Sequence, residues 1–363
     1  MSRLRAALGE LAQEAPDVAP TTDLAALAVA NHQRHRRNIT MATAFFATVA
    51  LVGAVTAGVT LTGSGQAAPA TSSVPDLPSG KVGELSHAYL TRCEMDESQT
   101  PPSFDCSEVE WRVVTRTGKT YRVPEALATT AKDPRPPVAI SRDGRMFAYY
   151  SRKEGAHVVR DLVAGTQVVS RAKVKESQIG GGSMLVVSDD GRHLAFDPRE
   201  GSKYPGLLID VRTGRTTTLN GKYEAIGIKD GLVELIRYRK TDLWLMPVTG
   251  GGKPVRFHGT YIMFSEPAPD GRTVAAVEFE KRRLTLLDTK TGRVVRKVTV
   301  KGAPVKGGPD SVRIWASASE VMLDYQVRTE LRSYAVNVDT GKARLVHKVS
   351  LADSQDVKLP AEW

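Results

Sequence analysis

The chain has 363 residues, 25% of them charged, 41% hydrophobic and 6% aromatic, with a formal net charge of +10. That length suits one large domain with appendages, and thirty-one scattered glycines with twenty prolines suit a chain rich in turns and exclude a collagen-like or low-complexity one. Two cysteines, Cys93 and Cys106, are too few for a disulfide scaffold and lack the CxxC spacing of a zinc site.

Residues 1–38 read as a short helical cytoplasmic lead. Ser2 can cap a first helix with Leu4, Leu8 and Leu11 on one face, Pro16 and Pro20 break the chain, and Asp23 can begin a second helix. Residues 39–61, ITMATAFFATVALVGAVTAGVTL, carry no charge over 23 positions. A helix of that length covers roughly 34 Å, enough for a ~30 Å hydrocarbon core, so the segment is expected to be a transmembrane helix. Arg34, Arg36 and Arg37 precede it and no charged residue follows until Asp76, which leaves the N-terminus in the cytoplasm and the rest outside. A cleaved signal is the rival reading, since Ala68-Pro69-Ala70 loosely fits a cleavage site. Residues 62–80 are small, polar and Pro-rich and read as a flexible linker. Within them Gly63, Gly65 and Ala68 match GxGxxA on paper, but with no strand before and no helix after they mark no dinucleotide site.

Over residues 81–363 the chain repeats. Ser141-Arg142-Asp143-Gly144-Arg145 recurs as Ser188-Asp189-Asp190-Gly191-Arg192, as Ala268-Pro269-Asp270-Gly271-Arg272 and, weakly, as Lys229-Asp230-Gly231-Leu232, each followed by an apolar run. The aspartates fall 47, 40 and 40 residues apart. Asp-Gly supplies the positive φ of a two-residue hairpin turn, so each copy is expected to join two antiparallel strands. A second turn ends at Gly118, Gly165, Gly214, Gly250, Gly292 and Gly341, spaced 47, 49, 36, 42 and 49 residues apart. The two alternate, so each period of ~45 residues holds four short strands, the length of one propeller blade. The expected fold class is all-β, a six-bladed β-propeller, with seven blades left open because the first copy lacks a clear outer turn.

The alternation of S-x-D-G-R-x-x-A with D-x-x-T-G-R resembles TolB-type and WD-repeat-like β-propellers of bacterial periplasmic and surface proteins. That resemblance covers roughly residues 81–350 and implies architecture; propellers host many unrelated functions. The sequence departs from it in having no Trp-Asp pair to close the blades, and the sixth copy reads Ser317-Ala318-Ser319-Glu320 with no Asp-Gly.

No catalytic residue, cofactor site or metal site can be nominated. His87, His157, His193, His258 and His347 form no HExxH pair and have no second His or Cys at metal spacing. The Asp-Gly-Arg aspartates read as turn residues bonding local backbone, and Trp111, Trp244 and Trp315 as packing between blades. The reading is a non-catalytic binding or scaffolding module. Its partner would be a protein or an anionic cell-envelope component, not nucleic acid; a sensor signalling to the cytoplasmic lead and a propeller hydrolase are the alternatives.

Three further expectations concern particular residues. Cys93 and Cys106 bracket a polar loop with two prolines and should form a disulfide in an oxidising compartment. The first blade lacks a strand that Asp356–Leu359 could supply, closing the ring. The longer loops opposite the tight turns are basic, which makes Arg152, Lys153, Arg199, Lys203, Arg237, Arg239, Lys240, Lys281, Arg282 and Arg283 a candidate binding face.

Overall fold

Strands whose two faces are both covered need apolar residues at successive positions, and several runs here have that character. Met146–Ser151 (MFAYYS) and Leu284–Asp288 (LTLLD) are buried at every position, whereas Thr166–Lys173 and Val294–Val298, each last in its sheet, are mostly exposed. The computed structural model describes residues 74–360, apart from residues 97, 99–102, 131–135, 181, 199–203, 239–240, 279–282 and 305–307. Within them the strands form six four-stranded antiparallel sheets and one two-stranded hairpin. The first strands of blades 2 and 3, 3 and 4, and 5 and 6 touch one another, and Leu85–Thr91 touches the first strand of blade 2, so the sheets stand as blades around an axis: a six-bladed β-propeller.

Blades 2 to 6 follow the chain outwards from innermost strands that begin at Ala139, Met184, Glu224, Tyr261 and Ser311. Blade 1 differs. Its innermost strand is the C-terminal Ser354–Lys358, which pairs antiparallel with Leu85–Thr91, followed outwards by Trp111–Thr115 and Thr120–Arg122. The C-terminal segment expected to close the ring does so, and it gives Leu85–Thr91 the inner partner that the second strand of every other blade has.

Apolar cores fill the joints between blades. Leu85, Trp111, Phe147 and Tyr149 pack between blades 1 and 2, and Leu194, Phe196 and Ile209 lie in the next joint. Each such buried side chain contributes about 1.5–3 kcal/mol. Trp111 and Trp315 are buried as expected, but Trp244 is only partly covered and donates to the Gly251 carbonyl oxygen (3.0 Å) at its own blade's third turn. The joint between blades 6 and 1 has few apolar residues of its own, Ile314, Met322 and Ala335. Polar groups complete it: Arg313 bonds Asp324 at 2.5 and 2.9 Å and reaches the Pro360 carbonyl, and Ser333 donates to Asp324 (2.6 Å).

The Asp-Gly turns join the first and second strands of their blades, but three are longer than a two-residue hairpin. Ser141 pairs with Met146, Ser188 with His193 and Ala268 with Thr273, so four residues lie between. In each, glycine alone has positive φ, at Gly144, Gly191 and Gly271. Only Asp230-Gly231, with both residues at positive φ (49° and 74°), is the two-residue type. The extra residues give the aspartate room to act locally: Asp143 Oδ1 accepts from Ser141 Oγ (2.6 Å) and the Arg145 amide (3.0 Å).

The structure also explains why the two sequence signatures travel together. The arginine of each Asp-Gly-Arg turn pairs with the aspartate that opens the third turn of its own blade: Arg145–Asp161 (2.6 Å), Arg192–Asp210 (3.0 Å) and Arg272–Asp288 (2.9 Å). That aspartate also caps its turn, as when Asp210 Oδ1 accepts from the Arg212 and Thr213 amides. In blades 4 and 6 the equivalent register pairs are Leu232 with Pro247 and Glu320 with Asn337, so Gly231 and Ser319 stand where the arginine would be, Pro247 and Asn337 where the aspartate would be, and both partners are absent together.

The cytoplasmic lead, the segment 39–61 and most of the linker lie outside the described residues. Among the described residues no helix is long and apolar enough to cross a membrane. The last linker residues run along blade 1, where the Leu77 amide donates to the Arg122 carbonyl (2.8 Å) and Asp76 pairs with Arg122 (2.6 Å).

Candidate functional site

Antiparallel order sets the two ends of every blade. The first-to-second and third-to-fourth turns share one end, and all longer connections share the other. The two ends are built from different chemistry.

At the turn end a network of charged groups gathers near the axis. Glu266, next to last in the innermost strand of blade 5, is 6% exposed. It receives Arg142 of blade 2 at 2.7 Å and Lys229 of blade 4 at 3.2 Å. Asp189 of blade 3 accepts from the Arg142 amide (2.9 Å), and the Trp315 indole of blade 6 donates to Ser265 Oγ and the Glu266 carbonyl, both at 3.1 Å. Glu234 lies behind, 2% exposed, its carboxyl set over Gly227, where any side chain would collide with it. Burial, and then the charge of Glu266, push the Glu234 carboxyl well above the ordinary carboxylate range. Burial also pushes Glu266 up, against the pull of Arg142 and Lys229. The network joins blades 2 to 6, and the charges of Arg142, Lys229 and Glu266 are taken up within it.

Sequence reading missed this set because its members are separated by up to ~125 positions. Its one visible trace was charge inside otherwise apolar strands, at Lys229, Glu234 and Glu266. A second set was missed for the same reason. His87 of blade 1 and His347 of blade 6 lie close enough at the polar seam for His347 to help lower His87 to about 4, after burial as the larger cause. His157 is fully buried between Tyr150 and Phe196, with ring centroids 5.5 and 5.0 Å away, and burial lowers it to about 4.

At the loop end the connection between the second and third strands of blade 1 is itself a hairpin, where a polar loop was expected. Glu94–Asp96 pairs with Ser103–Asp105 in the register Glu94↔Asp105, Met95↔Phe104 and Asp96↔Ser103. Cys93 and Cys106 form the expected disulfide at its base, where they pack against the core between blades 1 and 2. Met95 and Phe104 face each other across the strands and are 45% and 56% exposed. Among the described residues, the remaining large exposed apolar side chains lie on outer strands or, as Val163, in the turn that feeds one. Residues 93–110 carry six acids and no Lys or Arg.

The expected basic face is divided by the structure. Arg152 pairs with Glu176 (2.9 Å) and donates to the Thr129 carbonyl (3.0 Å), Arg237 pairs with Asp242, and Arg283 pairs with Glu278 (3.3 Å). Lys153 is exposed. Arg199, Lys203, Arg239, Lys240, Lys281 and Arg282 lie outside the described residues. Three of the four described members thus spend their charge on a neighbouring carboxylate.

Known family models do not match the chain, and no curated protein matches it. Solved structures do. TolB from Acinetobacter baumannii is similar with a TM-score of 0.47 and 16% identity, over 77% of this chain and 67% of TolB. The Cps50 (Swd1) β-propeller domain from Myceliophteria thermophila gives 0.37 and 18%, over 59% and 71% of the two chains. Oligogalacturonate lyase in complex with manganese gives 0.45 and 15%, over 66% and 71%. At these identities the likeness is one of fold.

Proposed function

We propose that this chain is a non-catalytic binding module, a propeller held outside the cytoplasm by the segment 39–61 that recognises a protein partner through its loop end. The observation that carries this reading is the disulfide-based hairpin that presents Met95 and Phe104 to solvent. Two strands and a disulfide hold this apolar pair in place, and a pre-ordered aromatic anchor loses little conformational freedom on binding, which is where interface energy concentrates. A disulfide also suits an oxidising compartment, in keeping with the arginines before Ile39 and the uncharged stretch after Leu61. Near the axis Glu266 is engaged by Arg142 and Lys229 and Asp189 by Arg142, which gives that region the work of holding blades together. A protein is favoured over an anionic polymer because Arg152, Arg237 and Arg283 are already paired.

The test is photo-crosslinking in intact cells with a reactive residue at position 95. Wild-type hairpin should give discrete adducts, and Phe104→Glu should remove them while the melting temperature stays within about 1 °C, as expected of an exposed position. Adducts that survive Phe104→Glu would overturn the assignment of this hairpin as the binding element.

A further inference from the structure

Peroxides oxidise thiolates first and thioethers next, so in a chain without a free thiol the exposed methionines take the oxidant. Both cysteines of this chain, Cys93 and Cys106, are joined in the disulfide at the hairpin base. Six methionines lie among the described residues. Met146, Met246 and Met322 are buried, Met184 and Met263 are half-buried, and Met95 is 45% exposed. The sulfur that an oxidant meets most readily among them is therefore the one on the hairpin, directly across from Phe104.

Taking the reading of the hairpin as a protein-binding element, we propose that Met95 is a reversible oxidation site through which hydrogen peroxide or another hydroperoxide switches that element off. The Met95 sulfur attacks the terminal oxygen of the hydroperoxide. An S–O bond forms as the O–O bond breaks, the proton on the transferred oxygen passes to the departing oxide, and water or an alcohol leaves. The thioether is oxidised to the sulfoxide and the peroxide is reduced. A dithiol-dependent sulfoxide reductase reverses the step, taking the oxygen off as water while its two thiols close to a disulfide. Oxidation turns a flexible apolar side chain into a polar one, and beside Phe104 it places a strong acceptor in the surface that a partner has to desolvate. The hairpin is held by strand pairing and by the disulfide, and neither uses the Met95 side chain. The change should therefore reach binding without reaching the fold.

The test uses the full chain with a photoreactive phenylalanine analogue at position 104, illuminated in native envelopes before peroxide, after it, and after treatment with sulfoxide reductase. Peptide mapping follows each methionine and the Cys93–Cys106 bridge. Met95 should oxidise before Met184 and Met263, and adduct yield should fall at least about tenfold, the scale of one apolar side chain lost from an interface. Reduction should restore the yield with the bridge intact. Met95→Gln, which sets a polar amide where the sulfoxide would stand, should show the lowered yield without peroxide. In Met95→Leu, whatever its starting yield, peroxide should leave the yield unchanged, which separates Met95 from oxidation of the partner or of another methionine. Purified protein should keep its melting temperature within about 1 °C on oxidation. Three results would each overturn the proposal: slower oxidation at Met95 than at Met184 or Met263, full adduct yield with Met95 oxidised or replaced by Gln, or a loss in Met95→Leu equal to that of wild type. An absence of adducts from position 104 before any treatment would overturn the reading of the hairpin itself and take the switch with it, while mapping still decides whether Met95 is the oxidation site.

Discussion

The two ends of this propeller spend their charged and apolar groups in opposite ways. At the turn end Arg145, Arg192 and Arg272 close onto Asp161, Asp210 and Asp288 of their own blades, and Arg142, Lys229 and Glu266 tie blades 2, 4 and 5 together near the axis. At the loop end the blade 1 hairpin leaves Met95 and Phe104 half exposed on a ribbon held by a disulfide. Stability is concentrated where groups find partners within the chain, and recognition belongs where rigid groups are left without one. Changes at the turn end should therefore show in folding, and changes at the hairpin in binding.

Removing residues 351–363 should have the largest effect, because it takes the innermost strand from blade 1 and with it the support of both ends. Leu85–Thr91 would lose its partner Ser354–Lys358, and Arg92 the Ser354 and Leu351 carbonyls it now holds at 3.1 and 2.9 Å. A fall in melting temperature of about 10 °C or more is expected by calorimetry. A melt that hardly moves would place ring closure elsewhere.

Next comes Glu266→Ala, which takes their carboxylate from Arg142 and Lys229 and leaves them only Asp189 (3.7 Å) and the Pro267 carbonyl (3.0 Å). Breaking such a group typically costs about 3–5 kcal/mol, read as a shift in the urea midpoint. A cost below about 1 kcal/mol would show that the turn end does not bear the load assigned to it.

The third prediction is acid sensitivity from His157. Its folded value is lowered from 6.5 to about 4, so its contribution is complete above pH 6.5 and is lost as pH falls through 4. At about 1.4 kcal/mol per unit this amounts to about 3 kcal/mol over that window. Burial pushes Asp197 up to about 6 and Glu234 well above its ordinary range, and these favour the folded state at low pH instead. The informative quantity is thus the difference between wild type and His157→Phe, which keeps the ring against Tyr150 and Phe196. The variant should lack the acid loss; parallel pH curves for the two proteins would contradict the assignment.

Phe104→Ala should be the mildest change for folding. The ring is 56% exposed, so unfolding free energy should move by no more than about 0.5 kcal/mol in urea titration.

Much of the scaffold could be read from the chain because it depends on local rules. Asp-Gly demanded a turn, Thr-Gly another, and their alternation counted the blades; two cysteines bracketing one polar loop and a strand missing from the first blade foretold the disulfide and the closing strand. What could not be read arises from the ring itself. Arg142, Asp189, Lys229, Glu234 and Glu266 meet only because blades 2 to 5 converge on the axis, and no single period contains two members from different blades. His87 and His347 meet only when the ring closes. The hairpin was hidden differently: its strands are three residues long and strongly acidic, a composition that reads as loop, and only pairing Met95 with Phe104 turns it into an anchor.

Hydrogen exchange on the full chain offers the most direct test that the loop end binds while the turn end holds the fold. Amides of residues 93–106 should be markedly more protected in native envelopes than in dilute purified protein, and those of 142–146, 189–193 and 266–273 equally protected in both. Protection gained at the turn end, with the hairpin unchanged, would contradict the account.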